Sequence, residues 1–157
     1  MQLAFGVATG SFPVTAAAGK RIRYSGYIRT KDMTAGWAGL WWRVDGQNRD
    51  VLAFDNMEER PATGTTDWTR YEIELQVPAG AKGISFGVLR PGNGTASFDS
   101  LEVQLDGKIY TDDGSFDLGF ESPVPHGFHT SGEGYDVKLD RTLAHSGQQS
   151  LRITSIK

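Results

Sequence analysis

The side chains with the clearest capacity to bind a ligand alternate along one predicted strand. Trp41, Arg43 and Asp45 are two residues apart, so they project from the same face of a sheet. An aromatic ring stacks on the apolar C–H patches of a pyranose, while flanking charged groups bind its hydroxyls. With Tyr27 on a neighbouring predicted strand, these residues predict a carbohydrate-binding face. The alternative is that Trp41 covers the outer surface of the sheet beneath a loop.

The densest polar cluster of the chain spans residues 55–60. Arg60 offers a fixed two-pronged donor to a carboxylate or a diol, and Asp55 is placed to orient it. The competing interpretation, which the local pattern favours, is that Asp55 and Asn56 satisfy backbone groups at the end of a strand, beside solvated glutamates. Trp68, at the entry of the next strand, is interpreted as a structural plug.

Catalytic signatures are weak. His126 and His129 have a spacing of three, but Pro125 and Gly127 oppose the helix that would align them on zinc, and His145 lies in a turn. Carboxylates are numerous enough for a glycosidase pair, yet no serine lies in a nucleophile elbow and no glycine-rich loop opens a helix. The sequence therefore predicts a protein that is not an enzyme.

Composition sets broad limits. The chain has 157 residues, 38% of them hydrophobic, a net charge of −3 and no cysteine. A slightly acidic, mixed charge gives no electrostatic reason to expect a nucleic-acid partner or an anionic membrane. No apolar run approaches the roughly 20 residues of a membrane helix, and no signal peptide is recognisable, so the compartment stays open.

The elements that must position these side chains are strands. Residues 71–77 alternate strictly between apolar and polar side chains, the pattern of a half-buried antiparallel strand. No helix of ten or more residues has a 3.6-residue period. Residues 1–15 predict a strand, a turn and a short strand that contains Val14, and the different parity of Phe98 and Leu101 predicts an irregularity near Ser100. The sequence predicts an all-β antiparallel β-sandwich of the jelly-roll type, with 31–36 as a loop and further strands at 20–30, 39–45, 84–88, 96–105, 116–121, 134–140 and 150–154.

Several segments resemble the galactose-binding-like jelly rolls related to bacterial carbohydrate-binding modules, which occur as domains appended to hydrolases and also in bacterial regulators and esterase-like proteins. They include Phe54-Asp-Asn-Met57, Gly64-Thr-Thr-Asp-Trp68 and Ser97-Phe-Asp-Ser-Leu101. Leu118-Gly-Phe-Glu-Ser122 and Ala144-His-Ser-Gly-Gln-Gln-Ser-Leu-Arg152 resemble the opening strands of the same kind of domain. In that family such strands come first, whereas here they come last.

Two domain organisations explain this order. In the one we favour, residues 1–157 form a single, circularly permuted jelly roll in which 116–157 supply the family's N-terminal strands. In the alternative, 1–105 form the main sandwich, 106–115 a linker, and 116–157 the start of a second module or a swapped segment. The chain is correspondingly expected to be a monomer or a strand-swapped homodimer.

The resemblance also implies a structural calcium ion. In the calcium-binding members, a glutamate on the first strand and an aspartate on the last are neighbours that share the ion; Glu121 and Asp99 match these positions. Ser100 stands where many relatives have a second aspartate, which lowers the number of ligands. The resulting expectation is a non-catalytic module that binds a glycan or small polar ligand, or alternatively a structural or interaction domain beside a catalytic or regulatory one.

Overall fold

The chain folds almost entirely into antiparallel strands. The computed structural model describes residues 5–110, 118–120, 128–131 and 134–155. The elements, in order, are β1 (Phe5–Ser11), α1 (Val14–Ala17), β2 (Arg21–Asp45), a 3-10 turn (Gln47–Arg49), β3 (Val51–Asp55), β4 (Ala62–Gln76), β5 (Gly83–Pro91), β6 (Thr95–Leu105), β7 (Lys108–Ile109), β8 (His129–Ser131), β9 (Tyr135–Asp140) and β10 (Ser150–Ser155). The predicted all-β antiparallel class is confirmed. The strands form one continuous, nearly barrel-like sheet, which is compatible with the predicted β-sandwich.

β2 connects the two layers of the sandwich. Its first half pairs with β4 and β6, whereas residues 39–45 pair with β5 and β3. The first layer therefore has the order β8-β1-β5-β2-β3, and the second has β4-β2-β6-β10-β9, with β7 beside β6. A single strand that belongs to both layers divides its side chains between two different sheets.

The prediction of a loop at 31–36 is wrong, because β2 continues through this stretch. Its register with β4 shifts three times between Ile28 and Ala38, so the strand turns the corner by irregular pairing. Asp32 and Gly36 adopt positive φ angles of 57° and 91° there. Such local bends let a strand change layers without leaving the hydrogen-bonded sheet.

Strand alternation correctly predicted which side chains face the core. Tyr24, Trp42 and Phe86 are fully buried. They form an aromatic cluster with Phe12, whose ring centroid lies 5.2 Å from that of Trp42 and 5.8 Å from that of Phe86. Tilted and edge-to-face arrangements at this spacing are the favourable ones for aromatic rings.

Two local predictions differ from the structure. Gly64, expected with Pro61 to mark a loop, lies within β4, because residues 62–70 extend that strand by pairing with the bent half of β2. Val14, expected on a short strand, instead begins α1, whose one turn follows Pro13. Within the predicted strand 116–121, residues 118 and 119 form a turn, residue 120 belongs to no regular element, and the other positions lie outside the described residues. The extension of β4 depends on pairing with a distant strand, and such pairing leaves no signal in the local sequence.

The C-terminal strands lie in the same sheets as the others. β10 pairs with β6 through Leu151 opposite Phe98 and Ile153 opposite Ala96, and both Leu151 and Ile153 are fully buried. The proposed domain boundaries and the permuted strand order stay predictions. In the described part of the chain, no helix has the length and apolarity needed to cross a membrane.

Candidate functional site

The residues predicted to form one ligand-binding face lie on different layers. Tyr27 is opposite Arg70 of β4 and Asp99 of β6, in the second layer. Trp41 is opposite Gly87 of β5, in the first layer. Because β2 crosses between the layers after residue 31, Tyr27 does not extend the face of Trp41. Sequence alternation could not show this separation.

Trp41, Arg43 and Asp45 do share the outer face of the first layer. Trp42 and Val44 between them are fully buried, as alternation requires. Arg43 Nε donates to Asp45 Oδ1 at 2.8 Å, so this guanidinium is already paired along its own strand. Trp41 is half-buried, and its Nε1 has no hydrogen-bond partner within the described ranges. The function of these three residues stays a prediction.

Asp55 and Arg60 form a two-pronged ion pair at the end of β3. Arg60 Nη2 lies 2.7 Å from Asp55 Oδ2, and Nη1 lies 3.3 Å from Oδ1. Asp55 Oδ1 also accepts the backbone N–H of Met57 at 2.9 Å, and Arg60 Nη2 donates to the carbonyl of Glu72. These contacts connect the loop to β4. They support the structural interpretation of Asp55, although an open cavity of about 450 Å³ adjoins the pair.

Asp99 serves as an anchor for a distant turn. Its carboxylate is fully buried and accepts the backbone N–H groups of Ser100 at 2.7 Å, His145 at 2.9 Å and Ser146 at 3.1 Å. Charge-assisted bonds of this kind are among the stronger hydrogen bonds in proteins. The described residues contain no group of three or more metal-ligating side chains. Glu121, the second predicted calcium ligand, lies outside the described residues.

Around Asp99 lies a polar cluster that the sequence did not predict. The His145 ring stacks on Tyr27 with centroids 3.6 Å apart and meets the edge of Trp68 at 5.9 Å. Ser100 Oγ is 3.1 Å from His145 Nδ1 and 2.7 Å from the hydroxyl of Ser146. Ser100 has a φ of 54°, which matches the irregularity predicted near it. The contacts of Tyr27 and Trp68 with the turn support the structural interpretation of Trp68.

A second concave surface lies across the outer face of the second layer, and we call it the Arg152 groove. Strand pairing places Arg29 opposite Ser97, Ser97 opposite Arg152, and Arg152 opposite Lys138. The groove has a volume of about 400 Å³. A neighbouring cavity of about 590 Å³ shares Arg152 with it. None of its cations was singled out from the sequence, because they lie on strands far apart in the chain.

One curated protein is similar to part of the chain. It is an uncharacterized HTH-type transcriptional regulator, YbfP, of Bacillus subtilis (strain 168), which is 49% identical over 83 residues. The similarity covers 53% of this chain and 28% of the relative, so the chain matches less than a third of that regulator's length. No protein-family model matches the chain.

This similarity corrects the functional predictions. The prediction of a carbohydrate-binding module, with a glycan partner and without a nucleic-acid partner, is wrong, because the relative is named as a transcriptional regulator. The error had a physical source. Net charge and an aromatic face describe β-strands, whereas a helix-turn-helix motif contacts DNA through its recognition helix.

Proposed function

We propose that this chain takes part in transcription regulation, as the β-domain of a helix-turn-helix regulator. The observation that carries the proposal is the 49% identity over 83 residues to a protein of that name. Identity at this level over 83 residues supports a shared role for the matched part of the two proteins. Nucleic acid is then the partner of the whole regulator.

The fold supports a division of labour inside such a regulator. Within the described ranges, the one α-helix has four residues, whereas a helix-turn-helix needs two longer helices. The described residues instead form a sandwich whose outer faces hold cavities. The β-domain therefore supplies the regulatory input, and the DNA-reading helices lie elsewhere in the regulator.

The test compares transcripts in host cells with and without the natural protein that carries this chain. We expect a defined set of transcripts to change in its absence, and chromatin immunoprecipitation to recover DNA upstream of those genes. Gly36→Ala, which we expect to destabilise the sandwich, should restore the transcripts less well than the matched Gly80→Ala variant. Unchanged transcripts in cells shown to express the protein would contradict the proposal.

The chain acts without catalysis in this proposal, since a regulatory input requires binding alone. The calcium site at Glu121 and Asp99 also remains a proposal. If it exists, calcium should raise the thermal unfolding midpoint relative to chelator, and Glu121→Gln should remove that rise. Equal midpoints in calcium and in chelator would rule the site out.

The permuted galactose-binding-like jelly roll is our proposal for the finer architecture. Its support is the position of β10, which comes last in the chain but pairs with the central strand β6. Joining the present termini and opening the chain within 106–115 should then give a folded protein. Loss of cooperative unfolding in that rearranged chain would count against the permutation.

A further inference from the structure

The Arg152 groove carries an excess of positive charge in a chain that is negative overall. Three cations line it, Arg29, Lys31 and Arg152, against the two carboxylates of Asp136 and Asp140. The whole chain has a net charge of −3. The neighbouring cavity that shares Arg152 adds two more cations, Lys138 and Arg141. A local reversal of charge in a concave surface attracts anions.

The carboxylates near the groove are occupied by other donors. Asp136 Oδ2 pairs with Lys138 Nζ at 2.9 Å. Asp140 Oδ1 accepts both the hydroxyl of Thr142 at 2.6 Å and its backbone N–H at 2.9 Å. Lys31 makes no ion pair within the part of the chain that the structure describes. Arg29 Nε lies 3.6 Å from Asp67 Oδ1, a long ion pair to a side chain that is 90% exposed. The positive charge of the groove is therefore only partly balanced.

Arg152 is incompletely bonded at the centre of the groove. Its Nη1 lies 3.5 Å from Asp140 Oδ2, at the long limit of an ion pair. Its Nε is buried and has no hydrogen-bond partner among the described residues. A guanidinium presents a planar fork of donors that fits carboxylate and phosphate oxygens. Because Nε is buried, an oxyanion in the groove would bond the exposed part of the guanidinium, on a side chain that is 34% exposed.

Hydroxyl groups complete the lining. The Thr95 and Thr154 hydroxyls are 3.3 Å apart, a long contact that leaves them free to turn toward a ligand. Ser97 lies between Arg29 and Arg152 in the cross-strand row. The volume of about 400 Å³ falls in the range of small-molecule sites, which is about 300–1,000 Å³.

We infer that the Arg152 groove binds a small organic anion, through a carboxylate or phosphate group, and that this anion is the effector of the regulator. The second half of the inference rests on the proposed function. Arg152 and Arg29 hold the oxyanion from two strands, Lys31 adds charge, and the three hydroxyls orient the remainder of the ligand.

The experiment titrates the full chain with inorganic phosphate and with succinate at constant ionic strength, by calorimetry and thermal unfolding. At least one probe should bind saturably. Arg152→Gln should lower its affinity at least about tenfold, which is the loss of a charge-assisted bond. Because Arg152→Gln also removes a contact to Asp140, the exposed variant Lys31→Gln is measured beside it and should weaken binding several-fold. Lys108→Gln, an exposed cation on β7, is the matched control and should leave affinity unchanged.

Each outcome decides the inference. Binding of phosphate alone or of succinate alone identifies which oxyanion the groove prefers. If neither probe binds, or if Lys108→Gln weakens binding as much as Lys31→Gln, the site is refuted while the transcript test is unaffected. Duplex DNA binding that depends on Lys31 and excludes the small anions would replace the effector site with a DNA contact. Anion binding without any transcript change would retain the site and overturn the proposed function.

Discussion

The pKa of the Asp140 carboxyl depends on a few individual contacts. Burial raises the pKa of this carboxyl, but the hydroxyl and N–H of Thr142 and the charge of Arg152 outweigh burial, and the pKa is lowered overall. A lowered pKa stabilises the folded state above the unfolded-state value of about 3.9. That contribution is lost as the pH falls through the lower, folded-state pKa.

We expect Asp140→Asn to destabilise the protein by about 1–2 kcal/mol at neutral pH, since hydrogen bonds to a charged acceptor are lost. Urea unfolding at about pH 7 and about pH 3 measures the effect, and the difference from the wild type should shrink at the lower pH. A difference that stays the same at both values would show that the carboxylate charge is not what stabilises this turn.

Tyr24 illustrates a buried hydroxyl with one defined role. Its hydroxyl donates to the carbonyl of Gly87 at 2.9 Å, and burial raises the pKa of the phenol well above its usual value, so it stays a donor. Tyr24→Phe should cost about 1 kcal/mol in the free energy of unfolding, because the carbonyl loses a donor. Tyr27→Phe, whose ring is half-buried on the outer face, should change it by less than about 0.5 kcal/mol. Equal losses in the two variants would contradict this assignment.

At the scale of the element, β2 depends on the corner that lets it join both layers. Gly36 has a φ of 91°, and a Cβ there would lie 2.0 Å from the carbonyl oxygen of Pro91. Gly92, which bridges to Gly36, is equally close to the backbone of residue 35. Neither clash can be relieved by moving a side chain, so a substitution must displace backbone.

Gly36→Ala should therefore destabilise the sandwich by about 3 kcal/mol, combining backbone strain with overpacking. The matched control is Gly80→Ala, because a Cβ at Gly80 meets no atom within 4 Å. That control should stay within about 0.5 kcal/mol of the wild type. Chemical denaturation of the two variants measures both values, and a tolerated Gly36→Ala would mean that the corner is not tightly packed.

At the scale of the whole molecule, the question is whether the C-terminal strands β8–β10 unfold cooperatively with strands β1–β7. The four tryptophans, at positions 37, 41, 42 and 68, all precede the C-terminal strands, so their fluorescence reports on the earlier part of the chain. Leu151 of β10 is fully buried against that part. The arrangement lets a mutation in one region be read in the other.

Leu151→Ala should cost about 2–5 kcal/mol, the usual range for a buried leucine. Tryptophan fluorescence and far-UV circular dichroism should shift to the same lower midpoint, as expected for two-state unfolding. Val51→Ala is the control, since Val51 is 55% exposed and its loss should change little. A fluorescence midpoint that did not move would indicate that residues 116–157 belong to a separate module.

The sequence by itself determined the fold class and the faces of its strands. Alternation with a period of two is a local property, so Trp42 and Val44 were predicted to share one face of the strand, and Trp41 and Arg43 the other, without knowledge of any partner strand. The irregularity near Ser100, where the structure has a positive φ angle, was predicted in the same way, because Phe98 and Leu101 differ in parity. These features depend on neighbours in the chain.

The tertiary structure alone decided which faces meet. Tyr27 and Trp41 lie on one strand but on different layers, since β2 turns its corner through pairing with β4. Arg29, Arg152 and Lys138 come together from strands that are far apart in the chain. Cross-strand register is set by hydrogen bonding between distant segments, and no local pattern encodes it. The Arg152 groove could therefore emerge only from the folded chain.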